Sequence, residues 1–536
     1  MELQSFFRYA VLACSITTLA ACSSSGSDAP ATTTISGSIF ASHVDGATVT
    51  VKDTSGNDIA GPVTTGHDGF TVSIPDADLA STLVFESTGG TFDDEATGAS
   101  TDAGAMSVMV AGGSLSSTSN SVHATPGSKI INELVTVHGM TMTDAEAAFN
   151  SAFGYTPDHG IAPTDATSPA AGAENDQLLA GLRAAAFSQL TSDLGLPADQ
   201  QFNLLSALAL DLSDNTLDGQ AASGAVSVGG TAIPEDIQNK FSTALLNFHG
   251  SANDNTGLND AQIGVVPFAK VVLTASYRIE YSSMMMEMQG KSAFNLTITN
   301  LSDGSAATGL TLALSPMMHM ADRMHSTPYV DFVETSPGTY TATAYYLMPS
   351  VMMTGDTMGY WHLMVDIDST EMANLYPTVM MAMADNTQRV QLKGITDTIV
   401  DMNMLTVPRP YNLFRDGLTE TGGGTNYQFD IFIAPMEDML NFPALLDPMT
   451  LNSGMGAPTY DVNNVTVDVN VNDGGWQNDH GVDNTDGTWS LNGLSLTSGA
   501  NQIKVRLTVS GETKTTDGLA VNAGVNDFTT FIVTLP

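Results

Sequence analysis

A nine-residue run near the middle of the chain contains the residue types best suited to metal chemistry. It holds four methionines and two histidines, which are Met317, Met318, His319, Met320, Met324 and His325. Thioether sulfur is a soft ligand that favours Cu(I), and imidazole binds copper in either oxidation state. The run therefore predicts a copper site. The competing interpretation is packing, because methionine is a flexible filler of hydrophobic cores.

A second group of the same residue types follows one predicted strand later. It comprises Met352, Met353, Met358 and His362. Successive side chains of an extended backbone point to opposite sides, so Met317 and Met318 are expected to face opposite ways. The donors of the first run can reach one ion only if the segment turns. A hairpin or a sandwich would bring the second group alongside the first.

Motifs for catalysis are missing from the sequence. It has no H-E-x-x-H zinc motif, no G-x-S-x-G elbow, no P-loop and no dinucleotide fingerprint. Other histidines lie in turn-like or helix-flanking sequence and are predicted to be exposed rather than catalytic. They include His67, His123, His138 and His159. We therefore expect a protein that is not an enzyme.

The amino terminus indicates export and lipid attachment. A short apolar stretch after Arg8 ends in Leu19-Ala20-Ala21-Cys22, which has the small residues of a signal cleavage site. This pattern resembles a bacterial lipoprotein signal over residues 1–21, and the resemblance implies acylation of Cys22 and membrane lipid as a partner. Ser23 stands where the resemblance would place an inner-membrane retention aspartate, so the outer membrane is expected. Residues 22–33 are predicted to be a flexible tether.

Cysteine content and charge narrow the remaining classes of protein. Cys14 would leave with the signal and Cys22 would be acylated, so the mature chain is expected to lack free thiols and disulfides. The net charge of −41, from 57 acidic and 16 basic residues, would repel nucleic acid. No later stretch has the roughly 18 apolar residues needed to cross a bilayer. Lipid alone is therefore the expected anchor.

Alternating apolar residues separated by Gly and Asp turns predict a small β-sandwich over residues 34–100. Its turns at Asp45-Gly46, Asp68-Gly69 and Gly89-Gly90 resemble those of carboxypeptidase-regulatory-like (transthyretin-like) domains. The resemblance implies a structural module without an active site. Residues 125–258 change to Ala-rich helical periodicity and are predicted to form an α-helical domain.

From residue 267 to residue 407 the pattern returns to strands and includes both methionine groups. The order of Pro316 to Met320, Pro337 to Tyr340 and Gly359 to Leu363 resembles the FixH/YtkA-like family of envelope β-sandwich domains. That resemblance implies a role in copper delivery. Residues 408–536 predict a C-terminal, immunoglobulin-like sandwich. The expected fold is multidomain and mainly β, with one helical domain between the first and second sandwiches.

Two functions remain open from the sequence. The first is an envelope lipoprotein that binds copper through its Met/His cluster and donates it to, or accepts it from, another envelope protein. The second is a structural or adhesive surface lipoprotein whose methionines only pack. Burial separates them, because ligand sulfurs should line an accessible cleft whereas core sulfurs should be enclosed by Leu, Val and Phe.

Overall fold

Three β-sandwiches and one helical region make up the computed structural model, which describes residues 30–401, 403–438, 440–454 and 456–536. Strands account for 42% and helices for 15%, so the expected mainly β, multidomain fold is confirmed. No helix within these ranges is long and apolar enough to cross a membrane. The predicted signal peptide and Cys22 lie outside the described residues.

The first sandwich is built from short strands joined by turns. Its strands are β1 (Thr32–Ile39), β2 (Thr48–Asp53), β3 (Asp58–Thr64), β4 (Phe70–Pro75), β5 (Leu83–Thr88), β6 (Thr91–Asp93), β7 (Ser100–Asp102), β8 (Met106–Val110) and β9 (Ser121–Ala124). The two sheets have the orders β4-β1-β9 and β3-β2-β5-β8. Alternate residues of β4, namely Phe70, Val72 and Ile74, are buried between them. The sandwich extends past its predicted end at residue 100, because β8 and β9 each add an edge strand to one sheet.

The helical region follows directly. Its helices are α1 (Pro126–Thr136), α2 (Met142–Phe153), α3 (Asn175–Asp193), α4 (Gln201–Asp211) and α5 (Ile237–His249), and its small hairpins are formed by β10 (Gln220–Ala221), β11 (Gly224–Ala225), β12 (Ser227–Val228) and β13 (Thr231–Ala232). Local sequence sets the ends of α2. The Thr141 hydroxyl accepts a bond from the Asp144 backbone N–H, and Gly154 adopts the left-handed conformation that closes the helix, with φ 78°.

The helices and the first sandwich share one hydrophobic core. Within the helical region, the Phe187 ring lies 5.4 Å from the Phe153 ring and 4.9 Å from the Phe241 ring. Across to the sandwich, the Phe92 ring meets the Phe202 ring edge-on at 5.3 Å. The segments predicted as separate domains at 34–100 and 125–258 therefore form one packed unit.

The second sandwich contains the methionine-rich sequence. Its strands are β14 (Val271–Leu273), β15 (Tyr277–Ser283), β16 (Gly290–Asn300), β17 (Leu312–His319), β18 (Met324–Ser326), β19 (Tyr329–Ser336), β20 (Thr339–Tyr346), β21 (Tyr360–Ile367) and β22 (Glu371–Leu375). One sheet has the order β14-β15-β16-β20-β19 and the other β18-β17-β21-β22. Strict alternation in β21 turns Trp361, Leu363 and Val365 into the core between the sheets.

The third sandwich begins earlier than the sequence predicts. Its strands are β23 (Arg389–Val400), β24 (Thr406–Gly422), β25 (Asn426–Pro435), β26 (Met449–Leu451), β27 (Tyr460–Val462), β28 (Val465–Val471), β29 (Gly481–Asp483), β30 (Thr488–Ser495), β31 (Gly499–Val509), β32 (Glu512–Thr513) and β33 (Thr529–Leu535). The main sheets are β23-β24-β25-β30-β29 and one in which β31 pairs with β28, β32 and β33. A short hairpin pairs Val400 with Thr406, so β23 belongs to this unit although the predicted boundary lies after residue 407.

A fully buried charge network lies inside the third sandwich. The Asp397 carboxylate accepts a bond from Arg409 Nε at 2.8 Å and lies 3.2 Å from Lys514 Nζ. The Tyr411 hydroxyl donates to the same carboxylate at 2.6 Å. Because each charge has an opposite partner, the network avoids the large penalty of an isolated buried ion.

Candidate metal centre

Strand register separates the first methionine group onto two faces of a sheet. Met318 lies opposite His325 on β18 and opposite Trp361 on β21. Directly paired residues share a face, and all three of these side chains are buried. Met317 and His319, one position away on either side, lie on the other face and are half-buried. The predicted opposition of Met317 and Met318 agrees with this arrangement, and the ten candidate donors do not surround one point.

His325 is oriented as a neutral ligand would be. Its Nδ1 lies 2.7 Å from the Ser326 carbonyl oxygen, which can only accept, so Nδ1 carries the proton and donates. Burial lowers the pKa of His325, against a smaller opposing effect of this hydrogen bond. The neutral imidazole therefore has an unprotonated Nε2 at neutral pH. Metal-ligating histidines are typically fixed through their other ring nitrogen in this manner.

The lone pair of His325 faces a thioether. Nε2 lies 3.3 Å from the Sδ atom of Met348, and neither atom carries a proton to share. This separation is a van der Waals contact between an imidazole nitrogen and a thioether sulfur. An ion bound to both atoms would be held by one borderline and one soft donor.

Trp361 closes one side of this pair. Its ring meets the His325 ring edge-on, with centroids 5.6 Å apart and planes at 84°. Its indole Nε1–H donates to the Met348 backbone carbonyl at 3.1 Å, which fixes the start of the loop that carries the thioether. Met318 is fully buried on the same face and belongs to the apolar core of the sandwich. A nitrogen, a sulfur and an aromatic wall therefore converge at this end of the core.

The remaining predicted donors occupy other environments. Met320 and Met358 are partly buried against the core of the second sandwich, whereas Met324 and Met353 are exposed. Met352 begins a turn in which its backbone N–H donates to Asp356 O at 2.9 Å. The structure places none of these five in the contacts that hold His325.

His319 contacts the segment that follows the helical region, and His362 forms a hydrogen bond within its own sheet. The His319 ring stacks on Tyr360 at 4.6 Å, and its Nδ1 lies 3.7 Å from Asp260 Oδ2. Asp260 Oδ1 in turn lies 3.2 Å from His249 Nε2, at the end of α5. Burial lowers the pKa of His362, whose Nε2 lies 2.8 Å from Asn374 Oδ1. This face of the sheet is a junction between two parts of the chain.

His249 is the charged centre of that junction. Its Nδ1 lies 2.8 Å from Asp254 Oδ2. Although burial opposes it, hydrogen bonding to Asp254 and Asp260 raises the pKa of His249 to about 9. Among the residues that the structure describes, no three His, Cys, Asp or Glu side chains are arranged to hold a metal ion. The pair of His325 and Met348 is of a different kind, because one of its donors is a thioether.

Met348 is the donor that sequence reasoning missed. It lies outside both methionine groups, two residues after the end of β20 at Tyr346. The available signal was its position immediately after a strand that packs against the first group. That signal can be used only when it is known which strands of the two sheets face each other.

The prediction of exposed histidines fails at His123. This residue lies on β9 and is buried, with Ser38 Oγ 2.8 Å from Nδ1 and Ser121 Oγ 2.6 Å from Nε2. Burial, followed by the neighbouring His159 and His43, lowers its pKa to about 4. His67 is exposed, as predicted.

No family model matches the chain, and no curated protein is similar to it in sequence. Among solved structures, it resembles the Escherichia coli adhesin FdeC at 14% identity, over 49% of this chain and 66% of that one, with a TM-score of 0.15. It also resembles the endo-fucoidan hydrolase MfFcnA9 at 14% identity, over 57% of this chain and 39% of that one, with a TM-score of 0.13. A transglutaminase of red sea bream matches at 10% identity, over 66% of this chain and 45% of that one, with a TM-score of 0.13. Likenesses this distant carry no argument about activity.

Proposed function

We propose that this chain is an envelope lipoprotein that binds Cu(I) in its second sandwich and exchanges it with another envelope protein. The observation that carries the proposal is the approach of His325 Nε2 to Met348 Sδ at 3.3 Å. No proton lies between these two atoms, so they cannot form a hydrogen bond with each other. A soft cation bound to both the nitrogen lone pair and the thioether sulfur would stabilise the contact. The proposed site differs from the sequence prediction, since it keeps only His325 of the predicted ligands and adds Met348.

The choice of Cu(I) rests on the chemistry of the donors. Thioether is a soft ligand that suits Cu(I), whereas protein zinc is bound by thiolate, imidazole and carboxylate. Met318 is paired with His325 across the strands and places a further thioether on the same face of the sheet. Lipid attachment through Cys22 and an outer-membrane address remain part of the proposal on the strength of the Leu19-Ala20-Ala21-Cys22 pattern.

A structural or adhesive surface protein is the second candidate. The observation in its favour is Met318, whose side chain is fully buried among Leu, Val and Trp residues. By the burial criterion, this sulfur fills a core. The two candidates therefore differ in whether His325 and Met348 hold a metal or only pack.

Metal affinity of the purified full-length chain decides between them. A colorimetric Cu(I) chelator should be outcompeted by the parent, and replacing His325 with Gln and Met348 with Leu should weaken Cu(I) binding by at least about 10- to 100-fold, the range seen even for outer-shell partners. Zn(II) should bind the parent more weakly than Cu(I). A matched control is Met109→Leu, which changes a buried methionine of the first sandwich.

Equal Cu(I) affinity in the parent, the double variant and the control, with all three folded, would reduce the pair to packing and favour the structural candidate. Lipid attachment is tested separately. Cell fractionation of a Cys22→Ser variant should release the chain from the membrane fraction, and retention as firm as that of the parent would contradict anchoring by lipid.

A further inference from the structure

Core packing does not explain the methionines between β15 and β16. Met284, Met285 and Met286 are 99%, 76% and 74% exposed, so their side chains contribute little burial to the fold. Single exposed apolar residues are common, but a contiguous exposed cluster marks an interaction site. Met288 completes the loop and is half-buried. We call residues 284–288 the methionine loop.

A neighbouring segment brings further thioethers to the methionine loop. Met288 forms a parallel bridge with Met380, and the Met380 backbone N–H donates to the Glu287 carbonyl at 2.9 Å. The segment after Met380 presents Met381 and Met383 to solvent. A backbone hydrogen bond thus holds the methionine loop beside a second segment that carries exposed methionines.

The methionine loop borders a cleft of about 320 Å³. Its four methionines share the lining with the amides of Gln289, Gln388 and Asn386. Mg²⁺ and Ca²⁺ require hard oxygen ligands, most often carboxylates. The lining contains no carboxylate among the described residues. Lys291, the cation at its edge, is paired with Asp416 at 2.8 Å. The cleft therefore suits a soft cation rather than a hard one.

A buried carboxylate beside the cleft favours positive charge. Glu287 is 3% exposed and accepts a hydrogen bond from Ser292, which lines the cleft. Its Oε1 atom has no hydrogen-bond partner within the described part of the chain. The overall charge of −41 raises the local concentration of cations around the protein as well.

The cleft also adjoins the pair described above. The Gln289 side-chain amide donates to the Leu347 carbonyl at 3.0 Å, and Leu347 immediately precedes Met348. At the same place Gly290 pairs with Tyr346 across β16 and β20. The Leu347 carbonyl also accepts a hydrogen bond from Arg389 Nη1 at 3.1 Å. One amide, one guanidinium and one strand pair therefore lie between the exposed thioethers and the half-buried Met348.

We infer that the methionine loop is a second, surface binding site for Cu(I), which receives the ion and passes it to His325 and Met348. The inference rests on the proposed function for its destination, but the surface site stands on its own lining. Transfer is ligand exchange, in which a cleft thioether replaces a ligand of the incoming ion and is then replaced by His325 Nε2 and Met348 Sδ. Copper keeps its oxidation state, so no electron donor or acceptor is needed.

Titration of the full-length chain with Cu(I) against the colorimetric chelator tests both sites together. Replacing Met284, Met285 and Met286 with Leu keeps their volume and removes their sulfur, and these exposed positions leave the fold intact. This triple variant should bind one equivalent of Cu(I) fewer than the parent. In stopped-flow mixing, Cu(I) should also reach its remaining site more slowly. The matched control replaces two other exposed methionines, Met372 and Met404, with Leu and should behave as the parent.

The outcomes separate the inference from the proposed function. If the triple variant keeps the stoichiometry and loading rate of the parent, the surface site is overturned while the internal pair stands. If the His325→Gln, Met348→Leu variant keeps the parent stoichiometry and the triple variant loses an equivalent, the proposed function fails and the surface site stands. Loss of one equivalent in each variant, with slower loading only in the triple variant, supports both.

Discussion

Replacing His123 with Gln should remove an acid-sensitive contribution to the stability of the first sandwich. The buried imidazole of His123 is held between Ser38 and Ser121, and its pKa in the folded chain is about 4. In an unfolded chain the same group titrates near about 6.5. Glutamine offers one donor and one acceptor to the two serines without changing charge.

The sign and size of the effect follow from these two pKa values. Above about pH 6.5 the residue is neutral in both states and has no pH-dependent effect. As the pH falls from about 6.5 to about 4, the unfolded chain binds a proton that the folded chain excludes, so stability is lost. The pKa values of His123 in the folded and unfolded chains differ by about 2.5, and each pKa unit corresponds to about 1.36 kcal/mol. The loss of unfolding free energy is therefore about 3 kcal/mol.

Hydrogen exchange of β1 and β9, measured by mass spectrometry from neutral pH to about pH 4, reports the opening free energy of this region. The three tryptophans, Trp361, Trp476 and Trp489, lie outside the first sandwich, so fluorescence would not report it. The parent should lose about 3 kcal/mol more than the His123→Gln variant across this range. The matched control is His67→Gln at an exposed position, which should behave as the parent. An identical acid loss in the parent and the His123 variant would refute the reasoning.

Three further results are expected. Replacing Asp397 with Asn should lower the unfolding free energy of the third sandwich by about 3–5 kcal/mol, because the fully buried Arg409 loses its counter-charge, whereas Lys514 keeps its pair with Glu512. Hydrogen exchange measures this loss. A loss as small as that of Lys504→Gln, which removes an ion pair to an exposed partner and is expected to cost at most about 1 kcal/mol, would contradict the prediction. Replacing the fully buried Met318 with Ala should cost about 2–5 kcal/mol through the cavity that it leaves. The same change at Met284 should stay within about 0.5 kcal/mol, and chemical denaturation that gave equal losses at both positions would contradict the difference in burial.

The periodicity of apolar residues within single strands and helices is enough to predict much of the architecture. The alternation of Phe70, Val72 and Ile74 indicated a sandwich strand, and the Ala-rich spacing between Ala145 and Phe153 indicated a helix; both are present. The same alternation indicated that neighbouring methionines of the first run face opposite ways. These features depend on residues close in sequence, whose geometry the backbone fixes.

Contacts between distant segments could not be predicted in this way. Met348 approaches His325 only because two sheets pack face to face, and His319 meets Asp260 only because a loop after α5 crosses the outer face of the sheet. His123 is buried because Ser38 and β1 lie beside β9. A pattern of residue types along one strand contains no information about which strand lies opposite, so the pair that makes contact, His325 and Met348, differs from the predicted donor set.

The two proposed ligands belong to different sheets. His325 lies on β18 of one sheet, and Met348 follows β20 of the facing one. An ion held by both would act as a cross-link through the core of the sandwich. A ligand that binds only the folded chain stabilises it by about 2.7 kcal/mol when its free concentration is about 100 times Kd. The supply of copper would then determine how long the protein survives as well as how much copper it carries. The copper-free form would unfold more often and would be cleaved sooner by proteases.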